Sequence, residues 1–138
     1  MTGAGRSLST RGTRVRVRYA ETDRMGVAYY ANYFVWFEVA RCDLLRSVGK
    51  TYRDLESEGV MLPVTESHCE YRGSARYDDE IEIATTGSLL SAVRVAFEYE
   101  VTRPADDTRL AVGRTVHAAV DLSGRPRRLP PHVQEVLK

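Results

Sequence analysis

Asp23 stands in a polar break, Glu21-Thr22-Asp23-Arg24-Met25-Gly26, seven residues ahead of Tyr30 and close to the start of a long apolar segment. Gly26 supplies the backbone freedom that a sharp turn needs. A helix beginning there would offer free backbone N–H groups and the positive end of its dipole. A carbonyl placed against that end would have its developing oxyanion stabilised by the Tyr30 N–H and its neighbours. The Asp23 carboxylate would then attack the carbonyl carbon, or activate a water that does. The plainer alternative gives Asp23 only an Asx turn that shapes the loop. Spacing alone leaves both open.

Other chemistries find less support. His68, His117 and His132 are far apart and share no metal-like spacing with Cys42 or Cys69. Cys42 falls in the apolar segment and Cys69 in an expected strand, where buried thiols are usually inert. No Gly-x-Ser-x-Gly elbow occurs, which excludes an α/β-hydrolase nucleophile.

The elements that must position Asp23 follow from periodicity. Residues 1–12 hold three Gly, two Ser and two Thr and are expected to form a flexible tail, leaving 13–138 as one domain. Residues 13–19 alternate strictly, with Val15, Val17 and Tyr19 on one face of a half-buried strand. From about Tyr30 or Asn32 to Val48, the residues Tyr33, Phe37, Ala40, Leu44 and Val48 trace a helix face. Phe34, Val35, Trp36, Val39 and Leu45 widen that stripe until the helix should be buried on most sides. Asn32 suits the N-cap and Gly49 the C-terminal stop. A short helical turn is expected at 52–58, then strands at 61–71, 79–88, 92–103 and 109–122, and a final helix from 132. One strand, one apolar helix and four more strands on short turns predict an α+β fold, with a five-stranded antiparallel sheet wrapped around a central helix.

Composition narrows the class. The 138 residues are 43% hydrophobic and 28% charged, as in an ordinary folded domain, and no apolar run could span a bilayer. Two cysteines and no apolar leader point to a cytoplasmic chain with free thiols. The net charge of +1 divides into +5 over residues 1–18, −7 over 19–123 and +3 over 124–138. A nucleic-acid binder would show a basic body, and this body is acidic.

The run from Arg18-Tyr-Ala-Glu-Thr-Asp23-Arg-Met-Gly26 through Tyr30-Ala-Asn32-Tyr33 to Phe37-Glu38-Val-Ala-Arg41 resembles the signature of hotdog-fold acyl-CoA thioesterases. The branch it resembles is that of 4-hydroxybenzoyl-CoA thioesterase and its YbgC-type relatives. The likeness continues through Leu62-Pro63-Val64, Ala75-Arg76-Tyr77-Asp78-Asp79 and Gly124-Arg125-Pro126-Arg127-Arg128-Leu129-Pro130, about residues 13–135 in all.

That resemblance implies a hotdog fold and hydrolysis of an acyl-CoA to free acid and coenzyme A, with no metal or redox cofactor. It implies Asp23 as the catalytic carboxylate, nucleophile or general base, and the Tyr30 backbone N–H as donor to the thioester carbonyl. Glu38 falls where relatives place an acid facing the acyl group. Leu62, Pro63 and Val64 match a pocket-lining segment, and Tyr52 matches an aromatic pocket position by type. Homodimers sharing active sites, paired into homotetramers, are implied as well. One departure stands out: where the 4-hydroxybenzoyl enzyme uses a basic hairpin for the coenzyme A phosphates, this chain reads Leu89-Leu90-Ser91-Ala92. Arg72, Arg76 or the cluster Arg125, Arg127 and Arg128 would have to replace it. Two alternatives remain: the same chemistry on an acyl group held by acyl carrier protein, and a non-catalytic acyl-CoA-binding module.

Overall fold

Backbone pairing, more than side-chain pattern, decides where the first strand begins. In the computed structural model, which describes residues 8–49 and 51–137, β1 runs from Leu8 to Arg16. Leu8, Ser9 and Thr10 pair with Gly87, Thr86 and Thr85, so residues 8–12 of the expected tail belong to the sheet. Polar residues suffice there, because the ladder is built from N–H and C=O groups. Residues 1–7 of that tail lie outside the described residues. Val17 is buried as expected, but the strand stops at Arg16 and a 3-10 turn, Tyr19–Glu21, carries Tyr19 out into solvent.

The helix α1, Asn32–Ser47, is followed by α2, Tyr52–Ser57, then β2 (Val64–Tyr71), β3 (Glu80–Ser91), β4 (Arg94–Arg103), β5 (Thr108–Ala118) and α3 (Pro131–Leu137). The strands form one antiparallel sheet in the order β1-β3-β4-β5-β2. β3 outruns its expected end by three residues because the hairpin to β4 turns at Ala92 and Val93. β2 starts later than expected, since Met61 pairs only with Val120, in an isolated bridge.

Helix α1 lies against the sheet through Tyr33, Trp36, Phe37, Ala40, Leu44 and Leu45. Phe37 stacks flat on Tyr99 of β4, with ring centroids 4.2 Å apart and planes within 5°. Gly113 of β5 permits that approach, because a Cβ there would sit 2.5 Å from the Phe37 ring. The expectation of a helix buried on most sides is corrected. Val35 and Val39 are 51% and 43% exposed. A single five-stranded sheet covers only one side of a helix, and it leaves these two valines open. β2 is likewise an uncovered edge strand, exposed along most of its length.

Two cap details bear on the site. Asn32 is the first residue of α1 and not its cap, and its side-chain amide donates to the Glu21 carbonyl instead. Gly49 closes the helix at φ +80°, as expected. Thr51 and Asp54 cap α2 reciprocally, Thr51 Oγ1 accepting from the Asp54 N–H and the Asp54 carboxylate from the Thr51 N–H. This fixes Tyr52 at the first turn of α2.

Candidate active site

Asp23 opens a tight loop. Its N–H donates to the Val27 carbonyl, its own carbonyl accepts from Gly26 N–H, and Thr22 pairs with Ala28. Gly26 sits at φ +79°, where any other residue would be strained. The carboxylate is exposed, and its Oδ1 accepts the Met25 N–H at 2.8 Å, an Asx turn. Oδ2 has no partner among the described residues. Thus one oxygen shapes the loop while the other remains open to chemistry.

Tyr30 lies two residues beyond Ala28, where the loop closes. The first three N–H groups of α1, from Asn32, Tyr33 and Phe34, already donate to the carbonyls of Tyr29, Tyr30 and Ala31. Among the described residues, no acceptor takes the N–H of Tyr30 or Ala31. The free donors at this helix start therefore lie just before it, Tyr30 among them. Tyr71 of β2 donates its hydroxyl to the Tyr30 carbonyl at 3.1 Å and so fixes that peptide. The rings of Tyr29 and Tyr30 are both largely exposed, with centroids 4.7 Å apart, so they are not core residues.

Glu21 ties this loop to the helix. It is 6% exposed, and its carboxylate accepts from Arg18 N–H at 2.8 Å, the Trp36 indole at 3.2 Å and the Arg18 guanidinium at 3.3 Å. Its backbone carbonyl takes the Tyr29 N–H and the Asn32 amide. Burial raises the Glu21 pKa, but those donors together outweigh it and hold the group below the ordinary value. Removing the carboxylate would orphan the Trp36 and Arg18 donors.

A second neighbourhood is concave. Glu38, Arg41, Tyr52, Leu62 and Pro63, with Met61 and the 120–124 turn, line a cavity of about 440 Å³. Glu38 and Arg41 also line an adjoining space of about 400 Å³ together with Phe34, Val35, Val64, Ser67 and Thr115. All five expected pocket residues, Glu38, Tyr52, Leu62, Pro63 and Val64, thus border these two spaces, which share Glu38 and Arg41. Asp23 and Tyr30 line neither cavity. Within one chain, the loop that could do chemistry and the cavity that could hold an acyl group are separate.

Behind the cavity runs a buried polar chain. Arg41 donates from Nε to the Tyr52 hydroxyl and from Nη1 to the Tyr99 hydroxyl, each at 3.1 Å. The Tyr99 hydroxyl lies 2.7 Å from Thr115 Oγ1, which is 2.9 Å from His117 Nε2. His117 Nδ1 is 2.9 Å from the Leu62 carbonyl. Arginine only donates, a carbonyl only accepts and a neutral imidazole carries one proton, so with His117 neutral every proton between them has one arrangement. His117 carries its proton on Nδ1, and Nε2 accepts from Thr115. Burial pushes this imidazole down to about 4, so it is neutral at ordinary pH. Burial also carries the Tyr99 hydroxyl up to about 12, against the pull of Arg41.

Residues 17–137 match the thioesterase-like superfamily. The chain belongs to that family. It is a thioesterase-family enzyme on the hotdog fold, and several relatives cover most of its length. The putative acyl-CoA thioesterase YneP of Bacillus subtilis is 34% identical over 78% of this chain and 77% of its own. The acyl-CoA thioester hydrolase YbgC of Escherichia coli O6:H1 is 34% identical over 84% of this chain and 87% of its own. The crystal structure of a DHNA-CoA thioesterase from Staphylococcus aureus superimposes with a TM-score of 0.85 at 32% identity, covering 94% of this chain and 87% of that one.

Against this thioesterase framework, sequence reasoning missed Glu21, Tyr99, Thr115 and His117. Arg41 left a signal: a charge beside Phe37, Ala40 and Leu44 on a buried stripe demands partners. Of the candidate phosphate-binding arginines, Arg72 is paired with Glu70 at 3.0 Å. Arg76, Arg125, Arg127 and Arg128 have no carboxylate within 4 Å among the described residues. No described helix is long and apolar enough to cross a membrane.

Proposed function

We propose that the chain hydrolyses acyl-CoA thioesters, with Asp23 as nucleophile or general base and the Tyr30 N–H as oxyanion donor. The observation that carries this reading is the pairing, in one loop, of a carboxylate with an open oxygen and an unbonded N–H at the start of α1. The carbonyl oxygen accepts from Tyr30, which polarises the carbon. Asp23 Oδ2 then attacks that carbon, or takes a proton from the water that attacks it. In the first route the carbon–sulfur bond breaks to leave an acyl–Asp23 anhydride, which water then hydrolyses to the acid. In the second, water adds directly and the proton taken by Asp23 passes to the departing thiolate. Both routes consume one water and yield the acid and the coenzyme A thiol. The Asp23–Tyr30 loop needs neither a metal nor a cofactor for this step.

A second copy completes the site in this reading. Exposed Val35 and Val39 and the open β2 edge are the surfaces it would cover, bringing the loop of one chain to the cavity of the other in a homodimer or homotetramer. The enzyme works in the cytoplasm on a free small-molecule substrate. The acidic body of the chain disfavours acyl carrier protein, which is itself acidic. Presenting one acyl group on both carriers tests this choice. The expected result is a kcat/KM for the coenzyme A ester well above that for the carrier-protein ester; the reverse order would assign the enzyme to carrier-bound substrates.

A further inference from the structure

Arg41 is a buried cation with no carboxylate beside it. It is 7% exposed, and among the described residues none of its ion pairs falls within 4 Å. Glu38, one helical turn earlier on α1, lines the same two cavities without pairing to it. A guanidinium taken out of water is costly unless a counter-charge or a full set of acceptors replaces the lost hydration. Arg41 meets two phenol oxygens, through Nε and Nη1. Its Nη2 has no acceptor among the described residues, and it is not sealed in, since Thr85 Oγ1 is the enclosed side-chain atom without a partner there. Arg41 lines both cavities, and Nη2 is the guanidinium nitrogen left to serve a ligand there.

The geometry points to Arg41 as the specificity-determining residue of the acyl cavity, presenting Nη2 to a hydrogen-bond-accepting oxygen carried by the acyl group beyond the thioester. This rests on the proposed reading that the acyl part of a coenzyme A ester enters that cavity. The one-way chain through Tyr99, Thr115 and His117 to the Leu62 carbonyl is what holds the guanidinium still. None of those hydroxyls is free to turn and compete for the ligand. A hydrocarbon acyl group would displace water from Nη2 and offer no acceptor in its place, while a hydroxyl or a carboxylate would satisfy it. Charge-assisted bonds of this kind contribute about 10–100-fold in discrimination.

Pentanoyl-, 5-hydroxypentanoyl- and glutaryl-CoA share a five-carbon chain and differ only in the terminal oxygen. Wild-type enzyme should favour at least one oxygenated ester over pentanoyl-CoA by about 10–100-fold in kcat/KM, mostly through KM. Which of the two wins separates a hydroxyl ligand from a carboxylate. Arg41→Met should abolish the preference while pentanoyl-CoA is still turned over. Arg41→Lys, which keeps the charge but loses the fork, should reduce it and carries the comparison if Arg41→Met does not fold. Calorimetric titration of the same esters into Asp23→Asn, with and without Arg41, reads binding independently of hydrolysis. An Arg41-dependent binding order, together with no turnover of any of these esters by the wild-type enzyme, would uphold this inference and overturn the hydrolytic reading. No oxygen preference in the wild type, or one that survives the loss of Arg41, would overturn the inference alone.

Discussion

Asp23→Asn should lower acyl-CoA turnover by roughly 10²–10⁴-fold, the usual worth of a positioned acid–base group, and by more if the carboxylate is a covalent nucleophile. The structure explains why this substitution is clean. Asp23 Oδ1 holds the Met25 N–H, and the asparagine Oδ1 would hold it equally well. The backbone bonds of the loop, from Asp23 N–H to Val27 and from Gly26 N–H to Asp23, are untouched. Only Oδ2, the oxygen with no internal partner, changes character. Melting temperature and substrate binding should therefore barely move. Asp23→Ala removes both functions and should also cost about 1 kcal/mol of stability through the lost turn bond. If Asp23 only shapes the loop, the order reverses: asparagine stays active and alanine loses mainly stability. Turnover and urea denaturation of both variants decide between these outcomes.

The second large effect is acid destabilisation through His117. Its folded pKa is about 4 against an ordinary 6.5, because burial resists the charge. Between those values the unfolded chain binds the extra proton and the folded chain does not. Stability is therefore full above pH 6.5 and falls as pH drops toward 4, by about 3 kcal/mol in total. Glu21 acts in a different window, since its lowered value releases stability only below its ordinary 4.5. The loss between pH 6.5 and 4.5 thus singles out the imidazole from Glu21. His117→Gln should show a flatter urea-denaturation profile across that interval. An unchanged slope would mean that His117 titrates normally.

Which features were readable beforehand follows from how local they are. The α1 stripe and the β4 alternation of Val95, Phe97, Tyr99 and Val101 announce themselves because one element carries the whole pattern. The turn at Asp23 was legible for the same reason: the polar break, the glycine and the helix start are contiguous. The start of β1 was not, because residues 8–10 are held by the ladder to β3 and carry no apolar alternation. Val35 and Val39 read as core because an apolar residue on a helix does not by itself say whether the sheet covers it. The relay behind the cavity was the least accessible. Arg41, Tyr99, Thr115, His117 and Leu62 come from four stretches of chain, and only the β4–β5 register and the docking of α1 on the sheet bring them together. Glu21 stood in plain view beside Asp23, but nothing in its spacing tells a buried anchor from a solvated acid.

The central claim, that this chain cleaves thioesters as well as binding them, is tested most directly by following free thiol and free acid together. Purified chain mixed with a panel of short, long and aromatic acyl-CoAs should release both in equal amounts over many turnovers for at least one ester. Saturable binding of acyl-CoA with no thiol released from any of them would contradict the account and leave a hotdog module that only holds its ligand.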